Sequence, residues 1–125
     1  MRCCRYWFVG LLCGVAFMVM SLPVKAAPKF YKTKFENSKV RTFDFAVQPG
    51  ATVPMDSHPD HLMYFTTQAK LDFTGSDGKV SHQKAKSGDV MWMESTSHSI
   101  KNVGRNTVHA FMVEFKDSYS RHKKK

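Results

Sequence analysis

Four histidines and two acidic residues are the side chains best suited to chemistry. His58, His61, His98 and His109 sit on or beside stretches that read as strands. Asp56 and His58 are two residues apart, so on an extended chain they point to one face. Such a pair can bind a metal. Equally, Asp56 suits a turn or an exposed carboxylate, and His58 suits a polar position at a pocket mouth with no metal. Glu94, four residues before His98, is placed to act as a general acid or base, or simply to be solvated at a strand end. Met91 and Met93 flank Trp92 and share one strand face, as copper-type thioether donors or as core filling. His109 alternates with Phe111, Val113 and Phe115, which predicts a hydrogen-bonded core histidine able to line a pocket. Tyr64, Phe65, Phe73, Trp92 and Phe111 offer apolar lining for a small ligand, and Trp92 serves equally as plain core. His82 and His122 read as surface residues.

Strands must position these groups, because no window of the chain sustains helical periodicity. Phe43, Phe45 and Val47 recur at period two within 40–47, and Pro49-Gly50 breaks that run. A second β-prone run covers 62–67. Residues 70–74 alternate, Gly75-Ser76-Asp77-Gly78 turns, and 79–85 returns, which predicts a hairpin. Ser87-Gly88-Asp89 is the next turn, followed by strands over 90–93, 97–103 and 107–115. Short strands divided by turn signals predict an all-β sandwich or barrel. The basic, aromatic arm 27–39 lies along the outside or adds an edge strand.

The first 26 residues read as a signal peptide. Arg2 and Arg5 precede an apolar stretch of 17 residues, Tyr6 to Leu22, and Val24-Lys25-Ala26 supplies an A-x-A-like cleavage site. A spanning helix needs about 20 apolar residues, so an uncleaved anchor is the weaker alternative. Cleavage after Ala26 leaves 99 residues for a periplasmic or secreted protein and removes Cys3, Cys4 and Cys13, all the cysteines in the chain. The remaining domain has no disulfide or thiol chemistry and must be held by its core. Its net charge falls from +9 to +6, and the tail Arg121-His122-Lys123-Lys124-Lys125 carries +4 of that. The basic balance therefore belongs mainly to the tail (118–125), a solvated end or a contact to an anionic surface. No aromatic residues interleave a basic strand, which argues against nucleic-acid binding.

The two histidine-bearing segments carry a resemblance. Gly50, five residues, Asp56-Ser57-His58 resembles the first motif of the cupin superfamily, Gly-x5-His-x-His-x3–4-Glu-x6-Gly. Asp56 stands for the first histidine, Leu62 or Met63 for the glutamate and Ala69 for the closing glycine. Gly88-Asp89-Val90, then His98-Ser99-Ile100-Lys101-Asn102, resembles the second motif, Gly-x5-Pro-x-Gly-x2-His-x3-Asn. There the spacing is one residue short, with Glu94 and Thr96 at the proline and glycine positions. The likeness covers roughly residues 40–115.

The resemblance implies a double-stranded β-helix, a jelly-roll barrel over 40–117, with a metal inside between the two motifs. Asp56, His58 and His98 would then supply two histidines and a carboxylate, a set suited to Fe, Mn, Zn or Ni. His61 joins as a fourth ligand if the turn at Pro59-Asp60 folds back. The expected function is an exported small cupin that binds a divalent metal and a small molecule, with oxygenase or isomerase chemistry in a catalytic version. The alternatives are a metal-free module that binds or senses a small ligand, and a structural protein docked by its basic ends. Cupins are often dimers, so a homodimer is a further expectation.

Overall fold

The alternation along residues 40–47 becomes an eight-residue strand in the computed structural model, which describes residues 29–117. The leader (1–26) and the basic tail (118–125) lie outside the described residues. Nine strands form: β1 (Tyr31–Glu36), β2 (Val40–Val47), β3 (Thr52–His58), β4 (His61–Phe65), β5 (Ala69–Gly75), β6 (Val80–Ala85), β7 (Val90–Met93), β8 (Thr96–Asn102) and β9 (Val108–Phe115). They build two antiparallel sheets, one ordered β1-β2-β9-β4-β7 and the other β3-β8-β5-β6. The inner faces of the two sheets enclose one core. Phe43, Phe45, Val47, Met63, Phe65, Val108 and Met112 come from the first sheet, and Val53, Leu71, Phe73 and Ile100 from the second. Burying each large side chain of this set contributes about 1.5–3 kcal/mol.

The turns behave as their residues dictate. Ala51 N donates to Gln48 O at 3.0 Å across Pro49-Gly50, with Gly50 at φ 78°. Proline then glycine at the two central positions is the type II turn pattern, which needs that positive φ. The basic, aromatic arm resolves into β1, an edge strand on β2. Tyr31 of β1 is buried, so part of the arm belongs to the core.

Two features differ from the sequence reading. Thr52–His58 was not among the strands read above, since Pro54 lies within it. It does form a strand, and it can because β3 is an edge strand, where a missing N–H is tolerated. Its pairing to β8 is irregular between Val53 and Asp56. On a regular strand these residues, three apart, would face opposite ways. The bulge resets the phase, so Asp56 and His58 follow Val53 inward.

The second difference is the phase of β9. Phe111, Val113 and Phe115 look like the core face. The structure instead turns Val108, Ala110, Met112 and Glu114 inward and leaves His109 exposed. The neighbours decide this: Ala110 lies between Phe45 of β2 and Phe65 of β4, a small residue making room for two phenyl rings. A one-residue slip would put both rings against the wrong face. His109 is therefore not a core histidine.

Candidate functional site: a buried histidine cluster

His58, His61 and His98 meet inside the barrel. Asp56 of β3 lies directly opposite His98 of β8 in register, so the edge bulge and the strand pairing bring the two sequence segments together. The link Pro59-Asp60 carries the chain from one sheet to the other and folds back. Its geometry is fixed by Ser95 N donating to Asp60 Oδ1 at 2.7 Å and Phe115 N donating to Asp60 O at 2.9 Å. His61 therefore joins the cluster. Ring centres are 5.3 Å apart for His58 and His61, 5.7 Å for His58 and His98, and 6.3 Å for His61 and His98. All three are at most 5% exposed.

Sequence reasoning missed Glu114, which organises the cluster. It is 2% exposed on β9 and reached by groups from two sides. Arg41 of β2 donates to Oε2 through Nε at 3.1 Å and Nη2 at 2.9 Å. His58 Nδ1 lies 2.6 Å from Oε1. Burial pushes the Glu114 carboxyl up, but the hydrogen bonds from His58 and Arg41 outweigh it and hold the group below its ordinary value. An ionised carboxylate only accepts, so His58 Nδ1 is the donor. The signal for Glu114 was available only through the phase of β9, because it alternates with Met112 and Ala110. Leu62, at the family's glutamate position, faces away from the core with Tyr64, since β4 turns His61, Met63 and Phe65 inward.

Tyr31 closes the cluster, with its hydroxyl 3.5 Å from His58 Nε2. Burial, then the Asp56 and Glu114 carboxylates, push its phenol up, so it stays protonated. Asp56 Oδ2 lies 3.7 Å from the same Nε2. Burial, with the neighbouring His58 and His61, pushes His98 down to about 4. Burial also lowers His61, against the raising effect of its hydrogen bond to Pro59 O. His61 and His98 are therefore neutral at physiological pH.

A cavity of about 540 Å³ opens onto His98 along the seam between the edge strands β6 and β7. Phe73, Met91, Met93 and Glu94 line it. The Phe73 ring meets His98 edge-on at 5.1 Å. Met91 and Met93 pack against the core from this side, as filling. Glu94 stands exposed on the rim. Trp92 borders the seam, but the residue is 56% exposed and its ring lies 5.7 Å from that of Phe115 on the outer face. Tyr64, His109 and Phe111 are on that outer face too, so the structure does not bring them to the histidines.

Solved structures share this architecture. A cupin domain from Bordetella pertussis Tohama I superposes with a TM-score of 0.64 at 17% identity, covering 70% of this chain and 92% of that one. A cupin superfamily protein from Desulfitobacterium hafniense DCB-2 gives 0.53 at 14%, covering 69% and 75%. An uncharacterised Klebsiella pneumoniae protein with a double-stranded β-helix domain gives 0.55 at 17%, covering 72% and 75%. The chain has the cupin fold. No protein-family model matches its sequence, and no curated protein does. The cupin likeness is thus one of architecture, and what the site does has to be argued from its residues.

Donor chemistry decides whether this cupin barrel suits a divalent metal. A ligating imidazole gives its other ring N–H to a carboxylate or carbonyl, which fixes the tautomer. His58 does so to Glu114, and His61 Nδ1 does so to Pro59 O at 2.8 Å. With Nδ1 engaged in this way, Nε2 is the nitrogen each has left for an ion. In ligand type and outer support the residues fit. They differ from a ready site in convergence: among the described residues, no group of three or more His, Cys, Asp or Glu is arranged to hold a metal ion as it stands. The ring triangle is slightly wider than the ~5 Å between imidazoles that share a tetrahedral ion.

Proposed function

We propose that the protein is an exported cupin-fold binding module. In this reading the seam cavity takes a small molecule beside His98, and His58, His61 and His98, with Asp56 at their edge, hold a divalent ion. Fe, Mn, Zn and Ni all suit that donor set. What supports this most is the anchoring of two imidazoles through Nδ1 to Glu114 and Pro59, which leaves Nε2 of each as the nitrogen for an ion. A bound ion would supply Lewis acidity and a coordination point for an oxygen of the ligand. The chain supplies the rest. Glu114 and Arg41 hold the His58 ring through Nδ1, Tyr31 keeps a proton near Asp56 and His58, and Phe73, Met91 and Met93 give the cavity apolar walls. Glu94 on the rim is the group placed to exchange a proton with a ligand, should turnover occur.

A metal-free ligand-binding module is the second reading. It is favoured by the lack of convergence, and because no buried side-chain nitrogen or oxygen among the described residues lacks a hydrogen-bond partner. Metal content separates the two. Protein purified from cells expressing the full chain is analysed for Fe, Mn, Zn and Ni beside H58A and H98A. Near one ion per chain, lost in both variants, supports the metal reading. None in wild type, even after incubation with each ion, leaves the metal-free module.

A further inference from the structure

At the far end of β5 from the histidines, a second cavity of about 360 Å³ is lined by four cations, Lys70, Lys84, Lys86 and Arg105. Gly75, opposite His98, and Lys70 are five residues apart on β5, so the two cavities are separated by about 17 Å of strand. From this juxtaposition we infer that the protein carries a second binding site, for a small organic dianion such as a polycarboxylate or a phosphate ester.

The charge arrangement calls for a partner. Lys70 and Lys84 are directly opposite each other across β5 and β6, and like charges in that position repel. The next exposed pair along the ladder is compensated: Asp72 is opposite His82 and accepts from its Nδ1 at 2.6 Å. Among the described residues, no carboxylate is paired with Lys70 or Lys84 in this way. Lys86 and Arg105 reach the same cavity from two separate turns. The one acid in the lining, Asp89, is already engaged, since its Oδ2 accepts from Lys86 N at 2.7 Å and closes that turn. The lining therefore carries an excess of three positive charges.

The frame is built, not loose. Val103 N donates to Lys70 O at 3.0 Å and Gly104 N donates to Asn102 Oδ1 at 2.9 Å, which lays the Arg105 turn on β5. A Cβ on Gly104 would come within 3.3 Å of Asn102 Oδ1 and 3.5 Å of Lys70 Cβ, so glycine permits that close approach. Asn106 Nδ2 donates to Gln68 O at 3.0 Å on the other side. Ala69, Ala85 and Gly104 complete the lining. Small uncharged residues there leave room for a carbon skeleton. The lining cations suit its acidic groups, with Arg105 as a two-pronged donor and the lysines as point charges. A volume near the low end for small-molecule sites fits a ligand of a few carbons.

The test is calorimetric titration of the full-chain protein with citrate and, separately, with inorganic phosphate, each at ionic strength fixed by sodium chloride. Saturable binding is expected for at least one, weakened about tenfold or more in K70Q and in R105Q. Citrate alone binding assigns the site to polycarboxylates, and phosphate alone assigns it to phosphoryl groups. A melting scan guards against misfolded variants: without anion K84Q melts higher than wild type, and with the bound anion it gains less. No saturation with either anion, or equal binding by wild type, K70Q and R105Q, overturns the inference.

Discussion

Glu114 on β9 and His58 on β3, from opposite sheets, are joined at 2.6 Å in the interior of the barrel. This contact ties the two sheets together at the site and leaves Nε2 of His58 beside Tyr31 and Asp56. Arg41 holds the far oxygen of the same carboxylate, so the relay runs from a half-exposed guanidinium to the buried imidazole.

Removing the carboxylate should therefore act at two levels. E114A leaves His58 and Arg41 without their acceptor and should cost about 3 kcal/mol of stability, read by urea denaturation. E114Q keeps the shape and loses the charge. It should weaken metal uptake roughly 10–100-fold through His58 while the fold survives. Unchanged uptake in E114Q would separate Glu114 from the site.

Acid should destabilise the metal-free protein early. The folded state holds His98 down to about 4 and lowers His61 as well, whereas the unfolded chain protonates both near 6.5. A depressed histidine means the unfolded state binds more protons, so its stabilising effect is complete above pH 6.5 and is lost as pH falls toward 4. For His98 the loss is roughly 3 kcal/mol by linkage. Denaturation midpoints measured between pH 7 and pH 4 should fall, and should fall less in H98Q if that variant folds.

Asn102 matches the asparagine of the family's second motif, and here it acts as a clamp. It is fully buried; Nδ2 donates to Val47 O and Asn106 O at 2.9 Å each, and Oδ1 accepts from Gly104 N at 2.9 Å. N102A strands two carbonyls and one N–H and should cost about 2–4 kcal/mol. Chemical denaturation checks this, with metal binding by the variant that still folds expected to stay intact.

The outer aromatic face should be silent at the histidine site. Tyr64 and Phe111 are paired in register on the side of the sheet away from His61 and Glu114. Y64S and F111S should leave metal content within error of wild type. Loss of metal in either folded variant would contradict the placement of the site inside the barrel.

The strands were legible in the sequence because alternation and turn residues agree there. Phe43, Phe45 and Val47 mark β2, and Gly75 to Gly78 mark the β5–β6 hairpin. His58 and His98 were legible through their motif spacing. What stayed hidden was set by partners distant in sequence. β9 presents two apolar faces, and only the rings of Phe45 and Phe65 against Ala110 decide which turns inward. The wrong phase hid Glu114 and promoted His109 and Phe111 to pocket residues. β3 stayed hidden because Pro54 argues against a strand until the strand is known to be an edge.

The most direct measurement is a zinc titration of the full-chain protein with ¹⁵N-labelled histidine, followed through the imidazole nitrogens. The account predicts that His58 and His61 keep Nδ1 protonated, and that the Nε2 signals of His58, His61 and His98 shift together and saturate near one equivalent. Zinc that leaves these three nitrogens unmoved, or that moves only His82 or His109 on the surface, would contradict it.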